Sequence, residues 1–170
     1  MASAKKYSAP VLLTKEHDLS YFSCQHESLT HWLTQRALSN HMTGGTRTWV
    51  VLDDQERVIA YYASATASIL HTQATSRARR SQPEPIPAIM LSRLAVDIDH
   101  QGRGLGGGLL KHFLFKALDV ANLVGVRVAI VHAIDQQARE FYEHFNFVPS
   151  PIEQNLLLLI LSDIAFPLSY

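Results

Sequence analysis

Residues 91–110 read LSRLAVDIDHQGRGLGGGLL, and five of the chain's eight glycines (Gly102, Gly104, Gly106, Gly107 and Gly108) fall within seven positions of that stretch. A glycine-rich turn between an apolar run and a helical pattern is an anion site. Unpaired N–H groups at the helix start point outward, and the macrodipole adds a positive end. Glycine lets the backbone approach a phosphate with no Cβ in the way. Spacing decides which phosphate. A Walker A loop requires Gly-Lys-Ser/Thr, and Gly106-Gly107-Gly108-Leu109 supplies neither lysine nor hydroxyl. Gly102, Gly104 and Gly107 satisfy G-x-G-x-x-G literally. Several strands precede them, however, and no acidic residue ends a strand about 20 residues later, so the dinucleotide context is missing. Gln101, Gly104 and Gly106 also stand at the spacing (Gln/Arg)-x-x-Gly-x-(Gly/Ala).

Other reactive side chains are sparse. Cys24 is the single cysteine, and with no Cys/His signature beside it the thiol reads as partly buried and not as a nucleophile. Nine histidines invite a metal reading, but His26-Glu27 followed by His31 is not H-E-x-x-H, and no Cys/His group has ligand spacing. No metal is expected. His132, closing a strand, is retained as a substrate contact.

The elements that must position these residues follow from periodicity. Leu29, Trp32, Leu33 and Ala37 recur at helical spacing, with Ser28 as the expected cap and Gly44-Gly45 as the stop. TRTWVVLDD and RVIAYYASATASI are β-rich runs joined by Asp53-Asp54-Gln55-Glu56, a hairpin signal. LHTQATSRARRSQPEPIP is expected to be irregular, because three prolines near its end bar regular structure. AIMLSRLAV is a strand that feeds the glycine loop. Leu105, Leu109, Leu110, Phe113, Leu114 and Leu118 then mark an amphipathic helix. VRVAIVHAI reads as a strand covered on both faces, DQQAREFYEHFNF as a short helix, and NLLLLILSDI as the buried strand that closes the sheet. The order α-β-β-β-α-β-α-β predicts one mixed α/β domain over residues 1–170.

Composition sets the outer limits. A chain of 170 residues, 47% hydrophobic and 18% charged, is globular and long enough to bury a core. Its formal charge of zero excludes blanket electrostatic binding to nucleic acid or membrane but not a local basic patch. MASAKKYSAP has no apolar run behind its lysines, and no apolar segment approaches the roughly 20 residues a spanning helix needs. One cysteine fits a reducing compartment, so a cytoplasmic location with no membrane contact is expected.

Taken together, RLAVD…QGRGLGGGLL, VHAIDQQAREFYEHFNFVPSP, the early FSCQHESLTHWL…RAL, the GTRTWVV strand and the C-terminal LLLL strand resemble the GNAT-fold toxins of bacterial type II toxin–antitoxin modules. The resemblance in motif order covers nearly the whole chain. It implies the GNAT fold, a mixed central β-sheet flanked by helices with an acetyl-CoA slot between splayed central strands. It further implies transfer of acetyl from acetyl-CoA to the α-amino group of aminoacyl-tRNA, which halts translation. The implied partners are the charged tRNA, a cognate ribbon-helix-helix antitoxin through which alone DNA is met, and a second copy in a homodimer. Carried over by position, the backbone of Leu94, Ala95 and Val96 would bind the pantetheine arm. The loop Gln101, Gly102, Arg103, Gly104, Leu105, Gly106 and Gly107 would hold the pyrophosphate. Tyr142 falls on the family's catalytic tyrosine. Asp135 stands where many members carry Asn as a cofactor contact. The usual Phe-Tyr-x-x-x-Gly-Phe reads with Asn146 in place of glycine, a residue that tolerates the left-handed conformation expected after a helix.

The chemistry of such a transfer suits these residues. An α-amino group with a pKa of about 8 is already partly neutral at cellular pH, so no strong base is required. A phenol with a pKa of about 10 can protonate a departing thiolate, which makes Tyr142 the candidate general acid. A strand N–H near Val96 could hold the carbonyl oxygen as charge develops. For tRNA, Arg77, Arg79 and Arg80 lie in one segment, and Arg36 and Arg93 enter elements around the expected cleft. Two alternatives remain open at this stage. One is a GNAT acting on a small amine or a protein N-terminus. The other is a non-catalytic CoA-binding module that serves as a corepressor with its antitoxin.

Overall fold

The structure is a computed structural model that describes residues 6–164. The strands form a seven-stranded sheet in the order β1-β2-β3-β4-β5-β7-β6. These are β1 (Val11–Leu12), β2 (Arg47–Leu52), β3 (Val58–Ile69), β4 (Ile86–Val96), β5 (Val128–His132), β6 (Val148–Pro149) and β7 (Leu156–Ile160). The helices are α1 (Glu27–Gln35), α2 (Ala37–Thr43), α3 (Ser76–Arg79), α4 (Leu105–Ala121) and α5 (Gln136–His144). The described residues group into two compact units, one of residues 6–65 and 92–113, the other of residues 66–91 and 114–164. Among the described residues, no helix is long and apolar enough to cross a membrane.

In the first unit, β2 and β3 pair antiparallel from Arg47↔Ser64 to Leu52↔Val58, with a bulge at Val51/Leu52. The expected hairpin turn is present. The buried Asp53 carboxylate accepts the N–H groups of Gln55 and Arg57 at 3.0 and 2.9 Å and the Arg57 Nε at 2.8 Å. The early helix is two helices. Arg36, with φ −124° and ψ −31°, leaves helical geometry and separates α1 from α2. The cap of α1 is His26 and not Ser28, which lies inside the first turn. The expected stop is there, with Gly44 at φ 85° closing α2 in the left-handed conformation that glycine adopts without strain. Burial follows the helical stripe: Leu33 and Ala37 are fully covered and pack with Phe22, Trp32, Val50, Val58 and Tyr61.

In the second unit, β5 runs parallel to β4 and antiparallel to β7, so both of its edges are paired. Val128, Ala129, Ile130 and Val131 are all buried, as a strand covered on both faces should be, and every residue of β7 is buried too. The segment before β4 is more regular than its prolines suggest. His71–Gln73 makes a 3-10 turn, Ser76–Arg79 forms α3, and the Thr75 side chain accepts the Ala78 N–H as its cap. Pro87 lies inside β4, where it needs no N–H: its carbonyl accepts the Arg127 N–H at 2.9 Å. Only Pro83 and Pro85 remain in the irregular bend.

Candidate functional site

The glycine loop is held rigidly at its entry. After β4, the Asp97 N–H donates to the Ile59 carbonyl at 2.8 Å. The buried Asp97 carboxylate accepts the N–H groups of Ser23 and Asp99, each at 2.9 Å, and the Ile98 N–H donates back to the Ser23 carbonyl at 2.8 Å. His100, also buried, bonds the Tyr7 hydroxyl through Nδ1 at 2.8 Å. The residue preceding the loop is therefore fixed before the chain turns. Sequence pattern marked none of this, although an Asp closing a strand two residues before a free N–H is the usual sign of an Asx turn.

The loop then opens. Gly102 and Gly104 take φ of 74° and 79°, which bends the backbone outward at a conformation L side chains resist. The Gly108 N–H donates to the Gly104 carbonyl at 3.0 Å, the first helical bond of α4. A Cβ placed on Gly102, Gly104 or Gly108 would meet nothing within 4 Å, so free space lies alongside the backbone there. Gln101 donates through Nε2 to the Val96 carbonyl at 3.3 Å and Arg103 is exposed, while Leu105, Gly106 and Gly107 form the half-buried first turn of α4. Loop geometry, open space and the start of a 17-residue helix together fit a pyrophosphate.

Upstream, the ladder between β4 and β5 runs from Ala88↔Val128 to Leu91↔Val131, and β4 itself continues to Val96. Leu94, Ala95 and Val96 thus lie beyond that ladder. Ala95 is buried, and Leu94 and Val96 are half-buried.

On the same unit, Arg36 and Arg93 are brought together. They line a hollow of about 530 Å³ with Glu27, Ser28, His31 and Trp32. The Arg93 guanidinium lies over the Trp32 ring, 4.3 Å from its centroid. The helical pattern gave Trp32 only a core position, and a partner 61 residues away in sequence leaves no local trace.

The second unit holds the remaining candidates. Tyr142 on α5 is 6% exposed and meets Phe141 and Phe147 edge-on, with ring centroids 5.1 and 5.8 Å away. Burial pushes its phenol well above the ordinary value. Asp135 is the cap of α5: its Oδ1 accepts the Ala138 N–H at 2.8 Å. Asn146 has φ 71°, the left-handed residue that ends this helix. His132 is exposed at the end of β5.

The three clustered arginines do not act alike. Arg77 donates to Asp163 through its two terminal guanidinium nitrogens, at 2.7 and 2.9 Å, and those bonds from Arg77 hold the Asp163 carboxyl below its usual range. Arg127 braces the same helix, donating to the Arg77 and Ala78 carbonyls. Arg79 and Arg80 are exposed and make no ion pair among the described residues.

This geometry has counterparts in known proteins. The family model for the acetyltransferase (GNAT) domain matches residues 44–149. A tRNA-acetylating toxin of Mycobacterium tuberculosis is 43% identical over 157 residues, 92% of this chain and 94% of that protein. The structure of AtaT complexed with acetyl-methionyl-tRNAfMet superposes with a TM-score of 0.83 at 24% identity, over 94% of this chain and 96% of that one. AtaTR bound with acetyl-CoA gives 0.78 at 24% identity, over 93% and 94%. At such identities the two superpositions establish the fold.

Proposed function

This chain belongs to the acetyltransferase (GNAT) domain family, and from that premise we propose that it is a toxin that transfers acetyl from acetyl-CoA to the α-amino group of aminoacyl-tRNA. The observation that carries the reading is identity of 43% spread over 92% of the chain with a tRNA-acetylating toxin. That span includes the glycine loop, the hollow of α1 and β4, and Tyr142. The whole of residues 1–170 is read as one acetyltransferase domain acting in the bacterial cytoplasm. Its partners are the charged tRNA, a cognate ribbon-helix-helix antitoxin and a second copy of the chain.

Each group has a task. The N–H groups from Gln101 to Gly107, with Arg103 beside them, hold the pyrophosphate. Leu94, Ala95 and Val96 present main-chain groups to the pantetheine amides in the manner of an added strand. Bound acetyl-CoA supplies an activated acyl group with thiolate as its leaving group. The Val96 N–H takes the carbonyl oxygen as negative charge builds there. The neutral amine forms the new C–N bond while the C–S bond breaks. Tyr142 gives its hydroxyl proton to the departing sulfur, and the proton lost by the acylated nitrogen restores the phenol. Burial keeps that phenol protonated until it is needed. Asp135 is read as the cap of α5 as well as a cofactor contact. Arg36, Arg79, Arg80 and Arg93 offer positive charge to phosphate, and Arg77 holds α3 in place.

The test is a panel of acceptors with release of the CoA thiol as readout: bulk aminoacyl-tRNA, a polyamine and a peptide with a free N-terminus. Aminoacyl-tRNA should be turned over with the highest kcat/KM. A polyamine or peptide equal to it would make the protein a small-amine or N-terminal acetyltransferase. A cationic amine is also disfavoured by the chain itself, since the hollow beside β4 carries two arginines against one acid, Glu27.

A further inference from the structure

The hollow between α1 and β4 holds two kinds of group that together describe a ligand. One is a flat stack: Trp32 lies nearly parallel to Tyr61, with centroids 6.0 Å apart and planes at 14°, and the Arg93 guanidinium lies over the Trp32 ring. Trp32 is only 8% exposed, so what a ligand meets is the half-buried guanidinium backed by the indole. The other kind is charge. Arg36 and His31 are exposed on the rim, and Arg93 has no carboxylate partner among the described residues. Aromatic and guanidinium planes receive nucleobases, and neighbouring arginines receive phosphate. Glu27 and Ser28 complete the lining with an acceptor and a hydroxyl, which suit a ribose or a base edge better than a second anion. The hollow, about 530 Å³, is open to solvent, so a ligand would lie along its surface.

Position narrows the ligand further. Arg93 directly precedes Leu94 on β4, and three residues of strand, about 10 Å, separate it from Val96. An amino acid esterified to a ribose spans a comparable gap between its amine and its base.

We propose that this hollow binds the terminal nucleotide of the acceptor strand, with its base on the Arg93–Trp32 stack and its phosphate on Arg36. The inference rests on the aminoacyl-tRNA reading and adds the subsite that distinguishes an aminoacyl nucleotide from any other α-amine. The protein reads the end of the tRNA as a nucleotide, and charge elsewhere on the chain is an additional contact.

The experiment compares kcat/KM for two minimal acceptors that carry the same amino acid: its methyl ester, and its 3′-amide-linked adenosine conjugate. The wild-type chain should favour the adenosine form by on the order of tenfold or more, the range of one base stack. Arg93→Gln should bring that ratio toward one. Adding a 5′-phosphate to the conjugate should raise kcat/KM further in the wild type, and Arg36→Gln should remove that increment while the preference for adenosine survives. Equal turnover of ester and conjugate by the wild type overturns the proposal. So does an Arg93→Gln variant that slows both acceptors by one factor, or a free peptide N-terminus that outcompetes the conjugate. If full aminoacyl-tRNA is acetylated without any preference for the conjugate, the subsite is wrong and the function stands. If no aminoacyl compound is acetylated, the function itself is wrong and the subsite falls with it.

Discussion

In the proposed reaction the Tyr142 hydroxyl is the one group given a proton to donate. Phe deletes that oxygen and leaves the ring against Phe141 and Phe147, so Tyr142→Phe should keep acetyl-CoA affinity and lower kcat/KM by roughly 10²–10⁴, the usual worth of a positioned acid. Because burial raises the phenol, its neutral form persists above pH 10. The wild-type rate should therefore climb as the substrate amine loses its proton near pH 8 and then stay level up to about pH 10, with no falling limb from Tyr142. A pH–rate profile with such a limb near neutrality would contradict the assignment. Asp135 makes a separate prediction. As a cap it is matched by Asn, so Asp135→Asn should leave urea stability nearly unchanged, whereas Asp135→Ala should cost about 1 kcal/mol. At this scale the sequence set Tyr142 off the face shared by Phe141 and Phe145 and placed Asn146 after a helix, where its φ is 71°. The Trp32–Arg93 and Tyr7–His100 pairs were not visible, because each joins residues far apart in the chain whose local patterns say nothing of one another.

Elements carry the proposed cofactor half of the site. Two left-handed glycines turn the loop, and open space at their Cβ positions means that any penalty for alanine comes from backbone conformation and not from a clash. Gly104→Ala should thus destabilise the chain by about 1–2 kcal/mol and weaken acetyl-CoA binding in calorimetry, since the N–H groups would leave their outward aim. An unchanged dissociation constant would separate the loop from the pyrophosphate. The elements were largely legible. Alternation and apolar runs marked β2, β3, β4, β5 and β7, and helical stripes marked α1, α4 and α5. The departures have physical causes. Arg36 breaks the early helix with a residue whose propensity is good, because Ala37 must turn into the core. The cap falls on His26 and not on the better-suited Ser28, which tertiary packing of Trp32 and Leu33 overrides. Pro87 sits in a strand because that strand asks only for its carbonyl, and α3 persists in a proline-bounded segment because Arg127 and Asp163 brace it from other parts of the chain.

For the molecule as a whole, a formal charge of zero means that any affinity for tRNA comes from placed charge. Arg77 is already occupied by Asp163, whereas Arg79 and Arg80 are exposed without partners among the described residues. Neutralising Arg79 and Arg80 together should therefore reduce the slope of log affinity against log salt by roughly one for each phosphate no longer neutralised, and leave the Tm alone. Arg77→Ala should do the reverse, lowering the Tm slightly with little change in slope. The Asp163 carboxyl, held below its ordinary value, sets the sign of the pH effect. Its pairing is intact above the unfolded carboxylate pKa of about 3.9 and disappears as pH falls through the lower folded value. The most direct measurement uses labelled acetyl-CoA with bulk charged tRNA and with an equal sample stripped of its amino acids. Label should appear only on the charged sample and be recovered as N-acetyl-aminoacyl-tRNA. Label on both samples, or on neither while acetyl-CoA still binds, would contradict acetylation of the aminoacyl α-amine.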